Sequence, residues 1–358
     1  MKKLSARSLT FIFCFCSVFI SEEAFSQFDN TDFLRAGVED GTRLTKAYVT
    51  PWANAFGAGV NGSWYNTAKP HKFGGFDITL GANVGFVPSS ATTFDVTRIG
   101  LTEFTGTGLA PTIAGPDKDG PVLTGPSVNG LTPVSFKTPP GSDWGAMPVP
   151  TLTAGIGLPL GTEVRIRYIP KISVSGGDIS SWGVGLLHSI MQYIPGDKVF
   201  PFDISLFGGY TRLEGNVPLD MQPDPSKPQN YSAAYPDGSF DNQNFGAIVK
   251  AWNASVIGSI NLPVISFYGG LGYSKTSTVI NMTGNFPLPT YNPAVSVTDY
   301  VYEDAGVLRD FPEISIENFS GLRTNAGFRL KFGVFTFHAD YTWSQYSVVS
   351  SGLGISFR

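Results

Sequence analysis

Phe76-Asp77-Ile78-Thr79-Leu80-Gly81-Ala82-Asn83-Val84-Gly85-Phe86 is the stretch that decides the fold. Side chains alternate across a strand with a period of two. Phe76, Ile78, Leu80, Ala82, Val84 and Phe86 therefore share one face, and Asp77, Thr79, Gly81, Asn83 and Gly85 share the other. One face is apolar and the other is polar or tiny, the pattern of a strand between two different solvents. Its length matches the ~9 to 11 residues a tilted strand needs to cross a bilayer.

The same alternation recurs on both sides of this stretch. Leu322, Ala326, Phe328, Leu330 and Phe332 oppose Arg323, Asn325, Gly327, Arg329 and Lys331, and three cations on one face exclude a dry core there. Phe335, Phe337, Ala339, Tyr341 and Trp343 oppose Thr336, His338, Asp340, Thr342 and Ser344, and Val349, Leu353, Ile355 and Phe357 oppose Ser350, Gly352, Gly354 and Ser356. Upstream, Val164, Ile166 and Tyr168 oppose Glu163, Arg165 and Arg167, while Phe202, Ile204, Leu206 and Tyr210 oppose Asp203, Ser205, Gly209 and Thr211.

Strands read at 56–66, 73–87, 91–98, 148–158, 162–170, 180–194, 199–214, 243–260, 263–283, 313–331, 333–344 and 346–358 make twelve. A further hairpin within 99–147 would make fourteen, and either is the even number a bacterial barrel requires. Short turns at 88–90, 158–162, 195–198, 261–263 and 332–333 take turns with connections at 67–72, 99–147, 171–179, 215–242, 284–312 and around Gln345. Short turns at one end and longer loops at the other are the membrane-barrel rule, which a soluble sandwich has no reason to follow. The expected fold is all-β, an antiparallel transmembrane β-barrel of about twelve strands with a short N-terminal helix.

Composition agrees. Charged residues are 15% of the chain, against roughly 25% in ordinary soluble domains, while aromatics reach 13%. Lys2, Lys3 and Arg7, an apolar run from Leu9 to Ile20, and Ser21 to Gln27 have the order of a secretory signal peptide, so residues 1–27 are expected to be removed. Cys14 and Cys16 lie in that run, which leaves the mature chain without a disulfide, thiol catalysis or a thiolate metal site. Removing the leader's net +1 takes the charge from −4 to −5, and nucleic acid is not an expected partner.

Ahead of the first strand, Thr31 or Asp32 is read as the cap of a helix that Pro51 stops after Thr50. Leu34, Val38 and Leu44 give it one apolar stripe, suited either to closing a barrel end or to a hatch inside the lumen, within an N-terminal segment spanning 28–55. Asp77, Glu163, Arg165, Arg167, Asp203, Arg323, Arg329, Lys331 and Asp340 are expected to face the lumen. They either line a conduit or fill a narrow barrel with paired charges and water.

Trp182, Tyr193, Tyr210, Trp252, Tyr268, Tyr273, Tyr341 and Trp343 fall near strand ends and are read as aromatic girdles. No catalytic, cofactor or metal residue is assigned. His71, His188 and His338 have no metal-pair spacing, and the alternation of His338 with Asp340 is what a polar strand face collects by chance. Asp117-Lys118-Asp119-Gly120 opens like a calcium loop but lacks the later acidic ligands, so it reads as a turn.

The stretch FLRAGVEDGTRLTKAYVTPWANAFGAGVNGSWYNTAKPHKFGGFDITLGANVGFVP (33–88), with SWGVGLLHSIMQYIPG (181–196) and FPFDISLFGGYTRLEG (200–215), resembles a Bacteroidetes outer-membrane family of no assigned function. More distantly, a helical segment ahead of the first strand is similar to the long-chain fatty-acid transporter family of outer-membrane barrels. That family has fourteen strands and an N-terminal hatch, and its Asn-Pro-Ala signature stands here as Asn66-Thr67-Ala68. The likeness implies passage of hydrophobic compounds. The expected protein is thus a monomer in the lipid of the outer membrane, not an enzyme, that admits or binds small hydrophobic molecules. Its rivals are a barrel that anchors interaction loops and a soluble secreted β-protein.

Overall fold

The computed structural model describes residues 33, 36–127, 133–174, 176–194, 201–296 and 299–357. The expected leader, the helix cap expected at Thr31 or Asp32, Leu34 and the turn expected at 195–198 lie outside the described residues.

One helix, α1 (Gly37–Val60), precedes ten strands: β1 (Phe76–Phe86), β2 (Ala146–Leu158), β3 (Thr162–Val174), β4 (Gly177–Ser189), β5 (Phe202–Pro218), β6 (Asn244–Asn261), β7 (Ile265–Thr283), β8 (Ile314–Phe332), β9 (Phe335–Trp343) and β10 (Val348–Phe357). Each strand pairs antiparallel with its neighbours in the chain, and β10 closes on β1 from Phe76↔Phe357 to Gly85↔Val348. The sheet thus closes on itself, the condition for strands to stand in lipid.

The alternation read from the sequence separates two surfaces. Ile78, Ile156, Ile166, Val184, Leu206, Val256, Phe267, Leu271 and Leu353 are exposed on the outer wall, whereas Thr79, Asn83, Thr153, Thr211, Ser255, Asn325 and Ser350 are buried inside it. A soluble protein has the opposite arrangement, and a closed band of this kind is the lipid face of a transmembrane barrel. Its upper border is marked by rings. Trp182 lies 5.5 Å from Tyr210, and Trp252 lies 5.9 Å from Tyr273, between ring centroids. Two residues beyond Tyr210, Trp252 and Tyr273 on the same faces stand Arg212, Lys250 and Lys275, so aromatic rings give way to cations as the wall meets water.

Turns at 159–161, 262–264 and 333–334 gather with 190–194 at one end, here the turn end. The long connections 87–145, 219–243 and 284–313 gather at the other, the loop end, with two brief ones at 175–176 and 344–347.

The barrel has ten strands, not the twelve expected. Residues 56–66 end α1 and then run inside the lumen, because Gly57, Gly59 and Gly62 fit closely against the wall. Residues 91–98 belong to the first long loop, where Thr93–Asp95 pairs with Leu109–Pro111. Pro88–Ser90 is accordingly no turn-end turn, and 67–72 is no loop-end loop. The helix also runs past Pro51 to Val60. A proline inside a helix costs about 3 kcal/mol, offset here by burial of Trp52, Ala55 and Val60. Among the girdle residues, Tyr268 points inward, since Phe267, Leu271 and Tyr273 hold the outer face of β7 and leave Tyr268 on the other parity.

Candidate functional site

The residues from Gly37 to Gly75 form a single descent into and through the barrel. At the loop end, Asp40 Oδ1 accepts the Thr102 amide and hydroxyl, and Oδ2 accepts the Glu103 and Phe104 amides. Lower down, Tyr48 donates to the Pro140 carbonyl, Trp52 Nε1 to the Trp144 carbonyl, and Asn54 Nδ2 to the Tyr346 hydroxyl. The helix then lies directly on the wall. A Cβ on Gly85 would stand 2.0 Å from the Ala55 carbonyl oxygen, and one on Gly59 2.8 Å from Val149 Cγ2.

The last turn of α1 contains no basic residue of its own. The wall supplies the cations. Arg167 donates to the carbonyls of Val60 at 2.7 Å and Gly62 at 2.8 Å, Arg323 to that of Asn61 at 2.7 Å, and Arg165 to that of Trp64 at 3.0 Å. Helix C-terminal carbonyls lack intrahelical partners and carry the negative end of the dipole, so buried guanidinium groups satisfy both needs. The Trp64 ring also lies 4.1 Å beneath the Arg167 guanidinium.

Below the helix, Tyr65 donates to Asn325 Oδ1, the Ala68 amide to Ser259, and Ser205 to the Ala68 carbonyl. At the turn end His71 meets a buried ion group. Its amide donates to Glu163 Oε2 at 2.8 Å, and its Nδ1 lies 2.8 Å from the same oxygen. Arg165 stands 2.6 Å from Glu163 Oε1 and 3.6 Å from Asp77 Oδ1. The ligand atoms of His71, Asp77 and Glu163 lie within 4.8 Å of one another, a spacing a cation can use. The Arg165 guanidinium already brings positive charge against both carboxylates, so the group works as an ion network that pins the plug.

The expected lumen residues are placed as follows. Asp77, Glu163, Arg165, Arg167, Arg323, Arg329 and Asp340 are buried inside the barrel, and Asp340 accepts the Tyr268 hydroxyl at 2.9 Å. Asp203, half-buried near the turn end, accepts Asn261 Nδ2 and lies 3.9 Å from Lys69, while Lys331 is half-buried at the same end. Of the hatch residues, Leu44 is fully buried, Val38 is exposed and Leu34 is outside the described residues. Trp64, Tyr65, Asn61 and the carbonyls of 60–64 were not anticipated. The signal for them was negative: 61–75 has no alternation and ends in Gly74-Gly75, with Gly74 at φ +79°.

Plug and wall pack closely around the helix end. The cavity bordered by Asn54, Asn61, Ser274, Arg323 and Thr342 measures about 10 Å³, room for no more than one water. Above it the three long loops share one core with the first half of α1. Leu44, Tyr48 and Trp52 pack there with Phe104, Ile113, Leu123 and Phe136 of the first loop, Leu219 and Met221 of the second, and Phe286 and Phe311 of the third. These loops hold fourteen acidic and five basic residues, a net −9 in a chain whose total is −4. Asp119 pairs with Lys137 at 2.8 Å.

Among the described residues, the wall has a seam between β2 and β3. The β2–β3 ladder stops at Thr153↔Arg167, although both strands continue toward the loop end. Val87 N–H donates to the Gly145 carbonyl and Gly157 N–H to that of Gly75, so odd-numbered amides of β2 face β1 and even-numbered ones face β3. Continuing the register would set Pro150 opposite Pro170, and neither has an N–H to give. Behind this seam Val149 packs with Val60, Leu213, Val249 and Ala251.

The chain is similar in overall shape to solved membrane barrels at low identity. The translocator domain of the autotransporter NalP from Neisseria meningitidis shares 12% identity over 88% of this chain and 97% of that one, with a TM-score of 0.29. Ail from Yersinia pestis shares 10% over 80% and 98%, with a TM-score of 0.26. A FadL homologue from Pseudomonas aeruginosa shares 9% over 79% and 89%, with a TM-score of 0.22. No curated protein matches the sequence. Residues 1–357 match a family of unknown function, DUF6588, and the chain belongs to that family.

Proposed function

We propose that this is an exported outer-membrane barrel, closed by its own N-terminal segment, that works as a surface-interaction protein through the cap its three long loops build. Longer loops face outward in bacterial barrels, which sets the cap on the cell surface and the turn end in the periplasm. The observation that carries this reading is the cap itself: three loops tied into one apolar core, with an excess of nine negative charges on them. A rigid surface of one sign steers and selects a partner of the other, so the partner is basic.

The test compares cells bearing the intact protein with cells in which residues 219–243 are replaced by a short turn. An oligolysine probe should bind the intact protein in a salt-sensitive way and lose that binding with the loop. Equal binding by the two, or binding indifferent to salt, overturns the reading.

A second reading, uptake of small hydrophobic molecules, is favoured by the seam between β2 and β3 and the apolar cluster behind it. It requires that cells bearing the protein take up a hydrophobic solute faster than cells without it.

A further inference from the structure

We propose that the mature N-terminus is carried out through the lumen of its own barrel and emerges at the cell surface beside the cap. β1 starts at the turn end with Phe76, and the chain reaches it from inside. Followed backwards from there, the contacts climb the wall in order. His71 is held by Glu163 and Ser356 at the turn end, Ala68 by Ser205 and Ser259, and Tyr65 by Asn325 at mid-height. Arg167 and Arg323 hold Val60 to Gly62. Ala55 then abuts Gly85 near the loop end of β1, and Asp40 is enclosed by 102–104 of the cap.

Phe33 stands in the cap core too, but beside α1 and not beyond it, with its ring 5.0 Å from that of Tyr48. At 1.5 Å per residue, α1 covers about 36 Å, its first half in the cap and its last turns inside the wall. Between Gly37 and Gly75 the contacts run one way through the lumen, and Phe33, returning beside Tyr48, is still in the cap, so we place the start of the mature chain at the loop end. The barrel therefore displays its N-terminal residues as well as its loops, and the segment 33–75 must pass the wall before or while the barrel closes. The proposal shares the orientation assumed for the cap but not the identity of any partner.

Cysteine labelling tests it directly, because both native cysteines lie in the leader. Three single variants are made in the full chain: Asn30→Cys ahead of α1, Lys118→Cys in the exposed cap, and Leu160→Cys at the exposed turn end. Intact cells are treated with a membrane-impermeant maleimide. The expected result is labelling of the first two without permeabilisation and of the third only after it. If Asn30→Cys needs permeabilisation while Lys118→Cys does not, threading is wrong and the cap reading survives. If Leu160→Cys alone reacts on intact cells, the barrel is inverted and both readings fall. An epitope inserted after Asp29 and read by antibody on intact cells gives the same answer without a thiol.

Discussion

Arg167 of β3 caps Val60 of α1, 107 residues earlier in the chain, through a 2.7 Å hydrogen bond to its carbonyl. A second bond from the same guanidinium, to Gly62 at 2.8 Å, makes the contact a fork across the end of the helix. The plug is thereby fastened by the very residues that a period-two reading assigns to the lumen. Arg165, Arg167 and Arg323 inside this barrel all hold backbone carbonyls of the N-terminal segment.

Replacing Arg167 by alanine is expected to loosen the plug, since each charge-assisted bond contributes about 1.5–3 kcal/mol. Unboiled protein should lose its compact form on a gel at lower temperature, and channel openings should appear in planar bilayers. Arg167→Lys keeps the charge but not the fork, and should fall between. Wild-type stability and a silent bilayer trace in Arg167→Ala would show that the helix end is secured elsewhere.

Gly85 tests the fit between helix and wall. A Cβ there meets the Ala55 carbonyl oxygen at 2.0 Å, and backbone on both sides has no rotamer through which to yield. Gly85→Ala should force α1 off β1 at a cost of at least 1–3 kcal/mol, roughly the range for overpacking. Because β1 itself keeps its ladder, the barrel should still close while protease gains access to residues near Ala55. Equal protection of α1 in both proteins would contradict the contact.

How much of this was legible in the sequence follows from what alternation can report. Phe76 to Phe86 announced a strand with two unlike faces, and β1 is that strand. Arg165, Arg167 and Arg323 were placed inside by the same parity. What they bind was hidden, because a carbonyl acceptor such as that of Val60 or Asn61 has no side-chain signature. The stop assigned at Pro51 failed for a related reason: local propensity favours ending the helix there, while Ala55, Gly57 and Gly59 gain wall contacts that only the closed barrel offers. Residues 56–66 and 91–98 were short enough to imitate strands, which raised the count by two.

The seam gives a separable prediction. Pro150 and Pro170 each lack the amide their facing positions require, so Pro150→Val with Pro170→Val should extend the β2–β3 ladder past Thr153↔Arg167. Slower hydrogen exchange in 146–152 and 168–174 would report the closure. If hydrophobic solutes use this side of the wall, their uptake should fall in the double variant while oligolysine binding to the cap stays unchanged. Uptake that ignores the closed seam would remove the one observation in favour of passage.

Asp40 makes the attachment of the cap dependent on pH. Burial raises its carboxyl, but the amides of Thr102, Phe104 and Glu103 and the Thr102 hydroxyl favour the ionised form more strongly, and the net shift is downward. A carboxyl held below its unfolded value, about 3.9, adds stability that is present above that value and is lost as pH falls through the lower folded one. The amides of Thr102 to Phe104 should thus stay protected from exchange at neutral pH and open in acid below the ordinary carboxylate range. Asp40→Asn cannot carry the charge that these donors meet, so it should show the opened first loop already at neutral pH and little further change on acidification. The barrel, whose ladder does not involve Asp40, should keep its resistance to heat in both proteins. An Asp40→Asn cap as well protected as the wild type, with the same acid response, would mean that the apolar core around Leu44 and Phe104 holds the loop without this carboxylate.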